Sequence, residues 1–574
     1  MSAKKRVRKE KSQYQKDLRK YRSASSRHVL VLEADLAEDQ KRRLFHDSEI
    51  LRKIGNSLSG FMQKNITQLF RTKRYRYILK QYGEIKEVLD KISDPESEKY
   101  HQTEKALKDI SSAMKEMQEQ YNVTFDYCRA KAAEISKQYK INSIFVLTRA
   151  EDIWSGIEKI LYKRAKKIHF LNYNEHPVIR AKQKNRGIII KASGDKLLFS
   201  YDGITFSHKS GDRFITDEVA AILQYLRDEK KADANAVKNY LDGRLVNTYR
   251  PCYASVVCEE IRGKLRVYIH ITVEGTALPK YRKDGSLRRV YGTGKIACDI
   301  GTQSYAWTSS AEIGLDNLAE RGLNYKKQER KERILLQKMD RSRRVNNPEN
   351  YNKDGTVKKR SERQPWKKSK RYRKLQKKHA EMCRKCAINR KLALNEIVNR
   401  FRSKGNTLIT EKQSWKGLQK RAKKETPPKS QTDSSVQKKD GEKVVKNKRR
   451  KRFGKSIRIR CPGYFQARLK LVFENTGGKY VEVPKNYRAS QFDHTSGEYK
   501  RKPLSKRMFT LSDGVVVQRD WYSSFLLYCC TTDFEKINRK RCKSEFPQML
   551  KRHNNMIEDI KSSGRKIFNS GIKV

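Results

Sequence analysis

The sequence predicts a multidomain α/β protein, on three observations. A helical stretch from about Asp47 to Arg164 interrupts strand-like segments that begin near Val29 and resume after His176. Two later apolar runs, Ile296–Ile300 and Thr407–Glu411, carry acids where a strand would leave its sheet. Between them lie two long, basic, helix-like segments. At 574 residues the chain can hold several cores rather than one.

Composition bounds the partners. Charged residues make up 34% and hydrophobic ones 36%; 132 Lys+Arg against 65 Asp+Glu leave a formal charge of +67. Self-repulsion at that charge opposes a compact state, so a large polyanion is expected, and nucleic acid would release counterions on binding. Ribosomal or chromatin packing is the plainer alternative. The ten cysteines are scattered, without a secreted disulfide framework, which fits a reducing compartment. The start, MSAKKRVRKEK, lacks the apolar core of a signal peptide, and no run reaches transmembrane length. A soluble, cytoplasmic, nucleoid-associated protein without a membrane partner is expected.

Taken in order, residues 1–46 read as a basic arm and a first strand, Val29–Leu32, and residues 47–175 as a helical domain. Within the latter, RTKRYRYILKQY interleaves Arg71, Lys73, Arg74 and Arg76 with Tyr75 and Tyr77. That pattern suits a surface that tracks phosphates and stacks bases. It suits an amphipathic helix with aromatic core contacts equally well. Residues 176–294 read as hairpins, with Gly194-Asp195, Asp202-Gly203 and Arg262-Gly263 as turns. The helices are therefore expected as an insertion in a small β domain.

A further domain is expected over 295–488, with a helical insertion at 324–405. On its second helix Leu375, His379, Met382 and Cys386 form one apolar stripe. Cys383 and Cys386 make a C-x-x-C there; without a second pair or a nearby His ligand, core packing is expected rather than zinc. Residues 416–455, rich in Lys, Ser, Thr and Gln, read as a basic linker or nucleic-acid arm.

Three acids carry the chemistry. Asp299 sits in IACDIGTQSYAW, Glu411 ends TLITE, and Asp520 follows VVVQR where a helix begins. Ser523 and Ser524 are small enough to let that helix approach the sheet. Each acid alone is more often a strand-end surface residue. Together, in so basic a chain, they can converge on two magnesium ions for phosphodiester cleavage, since hard cations take oxygen ligands and relieve carboxylate repulsion.

These motifs resemble the split RuvC domain of TnpB, the transposon-encoded RNA-guided nuclease, and of its compact type V CRISPR relatives. ACDIGTQSYAW is similar to the first motif, LITEKQSWKGLQKR to the second and QRDWYSSFLL to the third. The resemblance implies an RNase H-like (RuvC) nuclease domain beside a small β-barrel wedge domain carrying an inserted α-helical recognition domain. It implies Asp299, Glu411 and Asp520 as ligands of a two-metal Mg2+ site in an RNA-guided DNA endonuclease. The implied partners are a guide RNA, either transposon-derived or CRISPR RNA, and double-stranded target DNA with a short adjacent motif. RCPGYFQARL and KYVEVPKNYRASQFDH extend the likeness.

Two departures stand out. Tyr522 and Ser523-Ser524 replace the usual Asn and Ala-Ala after the last acid. The family's four-Cys zinc finger falls at 489–519, which contains no cysteine. Asp493 and His494 cannot complete a tetrahedral site alone, so no zinc is expected. A degenerate target-loading module held by Phe492, Tyr499, Met508 and Phe509 is expected instead, with Lys506, Arg507 and Arg519 on the nucleic acid. Residues 520–574 would supply the last RuvC helix and a tail. The rival readings are a repressor derived from such nucleases and an RNase H-class transposase. The transposase usually orders its acids Asp, Asp, Glu.

Overall fold

The computed structural model describes residues 12–92, 94–173, 175–212, 214–320, 325–419, 453–500, 503 and 506–574. The first eleven residues of the arm and most of the basic stretch 416–455 lie outside them. The chain divides into two compact units, Met1–Leu278 and Pro279–Val574.

The first unit opens with α1 (Gln13–Ala24) and β1 (Arg27–Asp35). β1 alternates: Leu30, Leu32 and Ala34 are buried while Val29 and Val31 face solvent, the period of a strand with one covered face. Helices α2 (Glu38–Arg71), α3 (Lys73–Leu89), α4 (Glu98–Gln120), α5 (Phe125–Ser136) and α6 (Ser143–Leu161) follow before the strands resume. The N-terminus of α2 is set by the Ala37 N–H donating to Gln40 Oε1 at 3.1 Å, with Glu38 and Asp39 favourable at the positive end of the helix dipole. Leu44, Leu51, Leu58, Met62 and Leu69 form its buried stripe.

Strands β2 (Ile179–Arg180), β3 (Ile188–Ser193), β4 (Lys196–Tyr201) and β5 (Ile204–His208) come next. The pair α7 (Thr216–Arg227) and α8 (Glu229–Leu241) then precedes β6 (Pro251–Ile261) and β7 (Lys264–Glu274). That pair was not expected from the hairpin pattern. The seven strands form one antiparallel sheet in the order β2-β6-β7-β1-β5-β4-β3. β1 joins its halves by pairing with β7 over Arg27–Glu33 and with β5 at Ala34 and Asp35. β3 packs against β6, but among the described residues β2 and β3 remain edges, so the hydrogen-bond ladder does not close into the barrel expected.

The second unit is built on a five-stranded sheet: β8 (Lys295–Ile300), β9 (Ser304–Ser309), β10 (Ile313–Asn317), β11 (Thr407–Glu411) and β12 (Lys479–Val483). Its order is β10-β9-β8-β11-β12; β8, β9 and β10 are antiparallel neighbours, whereas β11 runs parallel to β8 and to β12. Helices α9 (Tyr325–Val345) and α10 (Lys370–Lys404) lead from β10 to β11; α11 (Trp415–Leu418), α12 (Gly454–Arg460) and α13 (Pro462–Asn475) precede β12. The hairpin β13 (Met508–Thr510) and β14 (Val516–Gln518) leads into α14 (Arg519–Tyr528), and α15 (Arg539–Ser562) follows.

Strand alternation divides the core. Ile296, Cys298, Ile300 and Leu408 pack with Phe401, Phe465 and Phe473 on one side of the sheet. Ala297 and Ile409 join the core that contains Trp521, Phe525 and Leu526 of α14. Arg402 anchors the entry to β8. It is buried and donates to Gly292 O at 2.9 Å, Gly405 O at 3.2 Å, Thr476 Oγ1 at 2.8 Å and Thr476 O at 2.9 Å.

Candidate active site

β8 is where the connections diverge: the chain leaves it for β9 on one side and reaches β11, through α9 and α10, on the other. The C-terminal ends of the strands at such a switch point form a natural crevice. Parallel pairing runs from Thr407 opposite Lys295 to Thr410 opposite Cys298, and its next step sets Glu411 beside Asp299. Both acids lie two residues beyond an α14-facing residue, Ala297 or Ile409, and therefore point to the same face.

Asp520 reaches that face from the first turn of α14, where the helix dipole favours a carboxylate. Gln518 caps the helix by accepting from the Trp521 N–H at 2.7 Å. Ser523 and Ser524 are buried, and Ser524 Oγ meets Thr308 Oγ1 of β9 at 2.8 Å, which seats α14 closely on the sheet. Larger side chains there would hold Asp520 away.

Two of the carboxylates act on the third. Burial pushes the Asp299 carboxyl well up, and the charges of Glu411 and Asp520 push it further; Arg519 and Arg507 oppose this. Burial likewise raises Glu411, against a hydrogen bond donated by the Ala489 N–H. Glu411 Oε1 is buried with no hydrogen-bond partner. Arg519 donates to Asp520 Oδ1 at 3.0 and 3.2 Å and to Lys506 O at 3.2 Å, while Arg507 stands 3.5 Å from the same Oδ1. An oxygen-only donor set with one orphaned oxygen and crowded negative charge fits a hard divalent cation of the magnesium class.

The residues expected on nucleic acid occupy different settings. Arg507 is half-buried and Arg519 buried against Asp520, so both are partners of the acid, while Lys506 is exposed. Tyr75 is wholly buried: its ring meets Phe70 at 5.3 Å and its hydroxyl accepts from Gln118 at 3.2 Å, so no base can stack on it. Arg71, Lys73, Arg74, Arg76 and Tyr77 are exposed on the same helical corner. Cys383 is exposed, which corrects its assignment to the core.

In the hairpin module, Asp493 Oδ1 accepts from Thr495 N and Oγ1 at 3.0 and 2.6 Å, and Oδ2 from Ser512 N and Oγ at 2.9 and 2.8 Å. His494 is buried beside Phe546; its Nδ1 lies 2.8 Å from the Tyr522 hydroxyl, which also accepts from the His494 N–H at 3.1 Å. Phe492 and Tyr499 pack at 4.9 Å. Sequence reasoning did not find the Ala489 N–H or the role of Arg507, because both depend on how distant loops close over the strand ends.

No family model and no curated protein matches the chain. Among solved structures it is similar to a chain from a cryo-EM structure of a Cas12f1–sgRNA–target DNA complex, at 13% identity and a TM-score of 0.41. That similarity spans 87% of this chain and 98% of the other, and it is too low to carry the fold. No helix among the described residues is long and apolar enough to cross a membrane.

Proposed function

We propose that the chain is an RNA-guided DNA endonuclease with one magnesium-dependent site formed by Asp299, Glu411 and Asp520. The observation that carries this reading is the convergence of three acids at the strand ends, with one buried Glu411 oxygen left unpartnered. A repressor has no use for so costly an arrangement. Acids on the central strand, on its parallel neighbour and on the packed helix suit an RNase H-like (RuvC) nuclease. A divalent cation held by them would lower the pKa of a water and stabilise the leaving oxygen. Arg519 and Arg507 orient Asp520 and offset part of the repulsion. The guided part of the reading rests on the likeness of the three motifs to TnpB-type nucleases, and a net charge of +67 suits a long RNA.

The test is to purify the chain with its bound RNA, sequence that RNA, and assay cleavage of matching DNA in magnesium. One structured RNA with a variable end is expected, and a random RNA pool would overturn the guided reading. Asp299→Ala, Glu411→Ala and Asp520→Ala should each abolish cutting while complex formation persists. Normal cutting by any one of them removes that residue from the site.

A further inference from the structure

A second ligand cluster lies on the helical pair α9–α10, apart from the three acids. Among the described residues, Glu332, His379 and Cys383 are the one group of His, Cys and acidic side chains whose ligand atoms all lie within 4.8 Å of one another. His379 Nε2 is its vertex, 3.6 Å from Cys383 Sγ and 3.6 Å from Glu332 Oε1. The nitrogen–oxygen separation is too long for a hydrogen bond. It matches something else. Tetrahedral zinc with Zn–N and Zn–O near 2.0–2.1 Å and Zn–S near 2.3 Å sets its N···S and N···O ligand pairs about 3.3–3.6 Å apart.

We propose that Glu332, His379 and Cys383 bind one zinc-class ion that clips α9 to α10. His379 and Cys383 are four residues apart, so both side chains project from one face of α10, and Glu332 meets them from α9. A thiolate, an imidazole and a carboxylate together favour zinc over magnesium or calcium. The side chains of His379 and Glu332 are 25% and 29% exposed and Cys383 is exposed, which leaves an entry path and a fourth position for water. Cys386, one turn on, is engaged with Gln328 Oε1 at 3.0 Å and is not a ligand here. Glu381 is paired to Arg384 at 2.7 Å. As the sulfur binds, the Cys383 S–H proton leaves to solvent, so affinity falls as pH falls. Burial and the neighbouring Glu332 charge hold the Cys383 thiol above its ordinary range, with Arg458 offsetting only part of this, so a bound ion must displace the proton.

The test uses the full chain, stripped with a chelator and titrated with cobalt(II), reading the near-ultraviolet thiolate-to-cobalt band. An oxygen-only site such as the three acids cannot produce that band. One equivalent should generate it, Cys383→Ser should abolish it and Cys386→Ser should retain it. His379→Gln should weaken binding by more than about tenfold, since even loss of an outer partner costs that much. Circular dichroism of each variant confirms folding. Absence of the band in the wild type, or its survival in Cys383→Ser, overturns the site.

Discussion

Asp299 and Glu411 stand side by side at the ends of two hydrogen-bonded parallel strands, and each carboxyl is pushed up by its burial. An acid whose folded pKa is raised costs stability as pH climbs above the ordinary carboxylate range, because the fold then holds a charge it disfavours. We predict that Asp299→Asn raises the melting temperature of the metal-free protein at pH 8 by about 2–4 °C, roughly 1 kcal/mol for a domain of this size. The gain should shrink as pH falls toward the acid range, and shrink again when magnesium is added. Melting curves in a chelator across pH decide it; a variant less stable at every pH would remove the repulsion argued here.

Arg402 holds the start of β8 against the ends of α10 and α13 through four hydrogen bonds from one guanidinium. Lysine offers a single ammonium that cannot reproduce the planar fork. Arg402→Lys should therefore destabilise the chain by about 3 kcal/mol, since buried acceptors lose charged donors. Denaturant unfolding measures this, and a change within experimental error would show the anchor to be redundant.

The Tyr522 hydroxyl serves both the N–H and the Nδ1 of buried His494. Tyr522→Phe keeps the ring and strands both polar groups, at a cost of about 1–3 kcal/mol. The loss should appear as earlier proteolysis within 489–518 before global unfolding. Cleavage in this variant at the same rate as elsewhere in the chain would deny the hydroxyl that role.

The acids were legible because a strand marks its own end: an apolar run stops, a carboxylate follows, and alternation fixes its face. Ser523 and Ser524 were legible for the same reason, as small residues beside an acid. What could not be read was anything that needs two distant segments. Glu332 joins His379 and Cys383 only across the α9–α10 pair, although the four-residue spacing of the latter two was visible. Arg507 and Arg519 carry a nucleic-acid signature by charge, but their pairing with Asp520 depends on the tertiary fold. The pair α7–α8 carried its own signal, since Val219, Ile222, Leu223 and Leu226 recur at helical spacing, and only the hairpins on either side drew it into the β reading.

Tyr75 and Tyr77 separate packing from binding on one turn of α3. The alternation of Tyr with Lys and Arg does not say which ring turns inward. Ile78 and Leu79, buried three and four residues after Tyr75, place that ring on the core side, while Tyr77 is 63% exposed beside Arg74 and Arg76. Tyr75→Ala should cost about 3–5 kcal/mol by opening a cavity under Phe70. Tyr77→Ala should leave stability unchanged and weaken RNA binding by the loss of one stacked base, about 1–3 kcal/mol. Arg74→Ala and Arg76→Ala should reduce the salt dependence of RNA affinity by roughly one phosphate contact each. Filter binding across salt concentrations, alongside thermal melts, resolves the two effects. If Tyr77→Ala binds RNA as tightly as the wild type, this corner of α3 is a solvated face and the RNA lies elsewhere.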